Sequence, residues 1–180
     1  MGLKDIANQT LQGFNAKSDK IANDNDGLPG GEYDVALNGV AFKAFDSGYE
    51  CIGLDMQVLT GDYANQHEFI NINLDPEFVS KAGYKLYEKY PNLLTTNIKL
   101  ISKLAAMCKV NLTDDDWEDM VTLSEAFNEQ DATGSQFILI VDKQTSKKGK
   151  TYTNYDFDEY AEDPFQNNAQ SEIPDEDIPF

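Results

Sequence analysis

The strongest constraint on this chain of 180 residues is a change of hydrophobic period along it, from two to about 3.6 and back to two. From Glu32 to Phe45 the residues alternate as a strand, with Tyr33, Val35 and Leu37 on one parity. After Gly39 the apolar positions, Val40 and Phe42, fall on the other parity, which is what a glycine bulge in a long, bent strand produces. Asp46-Ser47-Gly48 turns the chain into a second strand, Tyr49 to Leu59. There Ile52, Leu54, Met56 and Val58 form the apolar face, and Tyr49, Cys51, Gly53, Asp55 and Gln57 the other. A third strand, Gln66 to Leu74, directs Ile70, Ile72 and Leu74 inward and His67, Phe69, Asn71 and Asn73 outward.

The middle of the chain reads as helical. Asp75-Pro76 gives an N-cap and a first-turn proline, predicting a helix to about Lys89 that Pro91 stops. A second helix, capped by Thr95 or Thr96, places Ile98, Ile101, Ala105 and Cys108 at helical spacing. A third starts at Thr113 with Asp116 in the capping-box position and carries Trp117, Met120, Val121, Ser124 and Phe127 on one face. Period two then returns in Ser135 to Gln144 and Thr151 to Tyr160, a hairpin whose tip is Ser146-Lys147-Lys148-Gly149-Lys150.

Three strands, a helical insert and two strands is the element order of an OB-fold. The expected architecture is therefore mainly β: a five-stranded OB-fold barrel over residues 28–160, with an α-helical insertion between strands 3 and 4 at about 75–130. An α+β sheet with helices on one face is the fallback. Residues 1–27 read as an arm or short helix, and residues 161–180, acidic and without periodicity, as a disordered tail.

Charge at first argues against nucleic acid and anionic membranes. The chain has 32 acidic residues against 14 basic ones, all lysine, for a formal charge of −18. Nine of those acids lie at or beyond Asp156, however, so residues 1–155 hold every lysine at a formal −9. The apolar runs are only a few residues long, far below the roughly 20 of a membrane span. Met1 to Thr10 lacks a signal-peptide pattern, so the expected compartment is the cytoplasm. Cys51 and Cys108 then read as small buried hydrophobes, and a single histidine excludes the usual zinc sites.

Enzyme motifs fare poorly. Asp114, Asp115, Asp116, Glu118 and Asp119 could be imagined holding a nuclease metal, but acids in a first helical turn offset the macrodipole and cap free amides. Gly149-Lys150-Thr151 lacks the earlier glycine of a P-loop, since Gln144 stands there, and a strand follows it. His67 and Cys51 have no third group to orient them. No catalytic residue, metal or cofactor is nominated.

The outward faces of the second and third strands are more informative. Tyr49, Gln57, His67, Phe69 and Asn71 mix rings for stacking with amides for base edges, the combination that binds single strands. Lys43, Lys143, Lys147, Lys148 and Lys150 would meet phosphates, with Tyr152 beside the hairpin tip. Without arginine, those contacts are point charges with little sequence readout. The tail offers a second interaction: Asp175, Glu176 and Asp177 would steer toward a basic rim while Ile178, Pro179 and Phe180 enter a pocket.

Asp177-Ile178-Pro179-Phe180 after consecutive acids resembles the C-terminal tip of bacterial single-stranded DNA-binding proteins, and acidic tails ending in Phe also occur in their phage counterparts. Leu28-Pro29-Gly30-Gly31-Glu32-Tyr33, Leu59-Thr60-Gly61-Asp62-Tyr63 and Asn71-Ile72-Asn73-Leu74 resemble an uncharacterised phage family with predicted single-strand-binding roles. The resemblance implies a non-enzymatic, phage-encoded protein of the bacterial host cytoplasm. It would coat single-stranded DNA in replication or recombination and recruit replication, recombination or repair proteins through its tip; a homodimer is compatible with this. Two other expectations stand beside it: an adaptor or DNA mimic that uses the tail without binding DNA, and a metal-dependent nuclease.

Overall fold

The structure, a computed structural model, describes residues 2–13, 15 and 27–160. The tail expected over 161–180, with Asp175 to Phe180, lies outside the described residues. Within the N-terminal arm, Leu3–Leu11 form helix α1, whose Leu3 and Leu11 are exposed.

Five strands follow: β1 (Gly31–Ala44), β2 (Glu50–Val58), β3 (His67–Ile72), β4 (Gln136–Thr145) and β5 (Thr151–Asp158). They make one antiparallel sheet in the order β3-β2-β1-β4-β5. The expected parity inversion in β1 is present as a register shift between Leu37 and Gly39, so Val35, Leu37 and Val40 all reach the core. Asn38 is the extra residue of this bulge, and its amide donates to Asp55 Oδ2 at 2.7 Å. Because β1 is long and bent, it is shared: Gly31 to Ala36 pair with β4, and Val35 to Ala44 with β2.

Between β3 and β4 stand α2 (Leu86–Lys89), α3 (Pro91–Met107), a 3₁₀ turn (Asp114–Trp117) and α4 (Met120–Glu129). Helix α4 buries Leu123 and Phe127, and its Asn128 amide donates to Val40 O at 3.1 Å. That carbonyl lies beyond the stretch of β1 that β4 pairs, so the side chain supplies the partner a strand would otherwise give. Helix α3 buries Ile101, Leu104 and Ala105 and is tied to β5 by the Lys103–Asp156 ion pair. The core is a single cluster in which Phe127, Phe137 and Phe157 are fully buried. Cys51 and Cys108 are buried free thiols within the fold, and burial pushes both thiols up.

The helical insert departs from expectation at three places. Asp75 does cap one turn, accepting from Glu77 N at 3.0 Å, but residues 76–85 form a loop closed by a Val79–Lys85 bridge. Gly83, at φ +83°, turns the chain there, so the expected helix to Lys89 shrinks to α2. Pro91 begins α3 at its first position instead of ending the previous helix, and the helix starts ahead of Thr95. The third expected helix is split: Asp116 Oδ2 accepts from Thr113 N at 2.7 Å to cap the 3₁₀ turn, and Asp119 accepts from Thr122 N at 2.7 Å to cap α4. Asn73, expected outward, is buried: it donates to Glu50 O at 2.6 Å and its carbonyl accepts from the Tyr87 hydroxyl at 2.6 Å.

The sheet is open, with no backbone ladder between β3 and β5. Its two edge strands nevertheless meet through a side chain that the hydrophobic pattern passes over. Glu68, on the inward parity of β3 and only 3% exposed, accepts from Leu28 N at 2.9 Å and from the Tyr155 hydroxyl on β5 at 2.6 Å. A Cβ on Gly27, whose φ is +69°, would lie 2.7 Å from Glu68 Oε1, so glycine suits the chain entering β1 where it passes the carboxylate.

Candidate nucleic-acid interface

The outer face of β2 and β3 is set by their register, which places His67 opposite Gln57, Phe69 opposite Asp55 and Asn71 opposite Gly53. Phe69 projects into solvent and is 61% exposed. The His67 ring lies beside it at a centroid distance of 5.9 Å and an interplanar angle of 19°, so two nearly parallel aromatic faces stand side by side. His67 is held there by its Nδ1, which donates to Asp55 Oδ1 at 2.6 Å. Asp55 in turn is fixed by the Asn38 amide from the β1 bulge, so the irregularity in β1 indirectly orients the ring on β3.

The cation of this face comes from β1. Lys43 crosses β2 directly over Gly53, and its ammonium sits 6.0 Å from the Phe69 centroid. A Cβ at position 53 would lie 2.4 Å from Lys43 Cε, so the absent side chain is what lets the lysine stem lie flat across the strand. The result is a stacking ring, a neighbouring imidazole, an ammonium and the exposed Asn71 amide on one surface. Aromatic faces beside cations and amides suit a single strand, whose bases offer π-faces and whose phosphates carry charge.

Other expected residues are placed differently. Tyr49 continues the same parity but packs edge-to-face on Phe78 at 5.3 Å and against Phe45 at 5.9 Å. Burial pushes its phenol up, and it offers less free surface than Phe69. Lys143 follows Val141 on the core-facing parity of β4 and does not belong to the outer face of β2 and β3. Lys147, Lys148 and Lys150 are exposed at the tight β4–β5 turn, where Gly149 adopts φ +79°. Lys150 Nζ lies 5.5 Å from the Tyr152 centroid, so these two residues form a group of their own.

Asp55 and Gly53, on the outward parity of β2, support this arrangement by holding His67 and by giving Lys43 its path. A glycine on the outward parity beside Asp55 is the available signal. Of the acids from Asp114 to Asp119, Asp116 and Asp119 act as caps, and the hydrogen bond from the Thr122 amide pulls the Asp119 carboxyl below its ordinary range. Among the described residues no group of three His, Cys, Asp or Glu side chains could hold a metal ion. Among them, too, no helix is long and apolar enough to cross a membrane.

The segments Leu28–Tyr33 and Leu59–Tyr63 come together in space. The Leu59 amide donates to Asp34 O at 2.8 Å, and the Tyr33 and Tyr63 rings meet edge-on at 5.8 Å. No protein-family model matches the chain, and no curated protein matches it in sequence.

Proposed function

We propose that the protein binds single-stranded DNA without catalysis, taking bases on the β2–β3 face and phosphates on lysines, and that its acidic tail recruits replication, recombination or repair proteins. The observation that carries this reading is the exposed Phe69 ring, flanked by His67 and by a Lys43 side chain that reaches it only because residue 53 is glycine. An OB-type barrel is the proposed frame. The shared β1, the order β3-β2-β1-β4-β5 and the Glu68–Tyr155 link between the edge strands support it. Phage origin and action in the bacterial host cytoplasm belong to the same proposal and rest on the motif resemblance alone.

Fluorescence titration with oligo-dT tests the reading. Binding should weaken with salt, with a log–log slope of about −0.7 for each phosphate contact. Phe69→Ala should lose about 1–3 kcal/mol, the range for a base stacked on an aromatic ring. No binding at low salt would refute it. The formal charge of −18 favours a second reading, an adaptor or DNA mimic that engages partners through the tail. Binding of oligo-dT by the chain lacking 161–180 discriminates the two.

A further inference from the structure

A second aromatic and cationic surface lies away from the β2–β3 face, where the helical insert meets the β4–β5 hairpin. A cleft of about 750 Å³ opens there, with Tyr84, Lys89 and Tyr90 on the insert side and Lys150, Tyr152 and Asn154 on the hairpin side. Lys89 Nζ lies 4.1 Å from the Tyr84 centroid and 5.5 Å from that of Tyr90, while Lys150 stands over Tyr152. Tyr90 and Tyr152 remain 46% and 50% exposed with the lysines in place.

The charge of the lining is the telling feature. Among the described residues no carboxylate lines this cleft, although acids outnumber bases 32 to 14 in the chain. Two other clefts do carry acids: Glu118 and Asp119 line the one beside Trp117, and Glu32, Asp34 and Asp62 line the one beside Tyr63. Among the described residues neither Lys89 nor Lys150 forms an ion pair, whereas Lys85, one turn before Lys89, is engaged by Glu77 and Glu88. Two unneutralised ammonium groups, each held against a tyrosine face, are positioned in advance for an anion, which lowers the ordering cost of binding. An anion that also presents flat π-faces matches the rings, and a single-stranded polynucleotide has both.

We infer that this cleft is a second seat for single-stranded DNA, with bases on Tyr84, Tyr90 or Tyr152 and phosphates at Lys89 and Lys150. This rests on the proposed DNA binding and assigns the helical insert a direct part in it. It also explains the spacing Tyr84-Lys85-Leu86-Tyr87-Glu88-Lys89-Tyr90. Tyr87 is buried in the Asn73 network, while the tyrosines three residues to either side are turned to the cleft.

The test uses the full chain with a 5-bromodeoxyuridine-substituted oligo-dT, photocrosslinking with peptide mapping, and salt-dependent titration of Lys89→Gln, Lys150→Gln, Tyr90→Ala and Phe69→Ala. All four sites are exposed, and circular dichroism verifies folding. The expected result is adducts on Tyr84, Tyr90 or Tyr152, a salt slope shallower by about 0.7 for each lysine variant, and affinity lower by about 5- to 150-fold for Tyr90→Ala. Adducts confined to the β2–β3 face, with unchanged affinity in the Lys89, Lys150 and Tyr90 variants, would overturn the second seat and leave the proposed function standing. No binding of the unmodified chain at low salt would overturn both.

Discussion

Replacing Gly53 by alanine separates a role in binding from a role in folding. The added Cβ would meet Lys43 Cε at 2.4 Å, Nζ at 2.7 Å and Cδ at 2.8 Å, and the closest atoms all belong to that one flexible side chain. Lys43 must therefore leave Phe69 while the backbone stays. Alanine in a strand interior gains about 0.5–1 kcal/mol over glycine. The displaced ammonium gives up a cation–π contact of about 0.5–1 kcal/mol at an exposed site. These terms nearly cancel, so urea denaturation should place the variant within about 1 kcal/mol of the unmodified chain.

Binding should respond differently. Losing one phosphate contact makes the log–log salt slope shallower by about 0.7, which amounts to about fivefold weaker binding at 0.1 M salt relative to a 1 M reference. The two affinity curves should converge toward 1 M. Lys43→Gln should reproduce this loss, and adding it to Gly53→Ala should change little more, because both act through the same ammonium. An oligo-dT affinity and slope identical to the unmodified chain's would refute the assignment of Lys43 to the strand. A large loss of stability would instead show that the lysine stem is wedged and not simply laid across the glycine.

Three further outcomes are expected. Glu68→Ala should cost about 2–5 kcal/mol in urea denaturation, since it strands the buried Leu28 N–H and the Tyr155 hydroxyl, whereas Glu68→Gln, which can still accept from one and donate to the other, should cost markedly less. Burial raises the Tyr87 phenol to about 12, so the neutral phenol stabilises the fold below pH 10, and that contribution should decline as pH rises from 10 through 12; melting curves of Tyr87→Phe should be flatter over that window. Removing residues 161–180, which carry Glu162, Asp163, Glu172 and Asp175 to Asp177, should raise oligo-dT affinity at low salt and have little effect at high salt; unchanged affinity would argue against the acids competing for the lysines.

The strands were legible because each has one buried face, which forces alternation, and because Gly39 marks the bulge where alternation inverts. The helical insert was less so. Asp75-Pro76 is a valid start signal, and it does close one turn, but Gly83 and the burial of Tyr87 on Asn73 draw the following chain into a loop. The Tyr87–Asn73 bond joins residues 14 apart and is invisible to a local pattern. Phe69, His67 and Lys43 could be named from parity, yet Lys43's path over Gly53 depends on a diagonal across two strands. Tyr84, Lys89 and Tyr90 were hidden by the same misplaced helix, in which aromatic spacing of three reads as packing. Glu68 was overlooked because a charged residue on an inward parity looks like noise until its two donors are seen.

The sharing of β1 between two partners also fixes an order of assembly. Its pairing with β2 closes a loop of a few residues, Ala44 facing Glu50, whereas Gly31 must find Val141. Each doubling of loop length adds about 0.6 kcal/mol of closure entropy, so this step starts about 2.5 kcal/mol behind the hairpin. We expect pulse-labelled hydrogen exchange during refolding to protect β1 to β3 before β4; simultaneous protection would contradict this. During synthesis at about 5–20 residues per second, the Gly31–Ala36 edge would wait about 5–20 s for its partner strand. In that interval it is an open template for strand addition by a second chain. The long insert that builds the tyrosine cleft thus also sets how long the nascent chain stays vulnerable to aggregation.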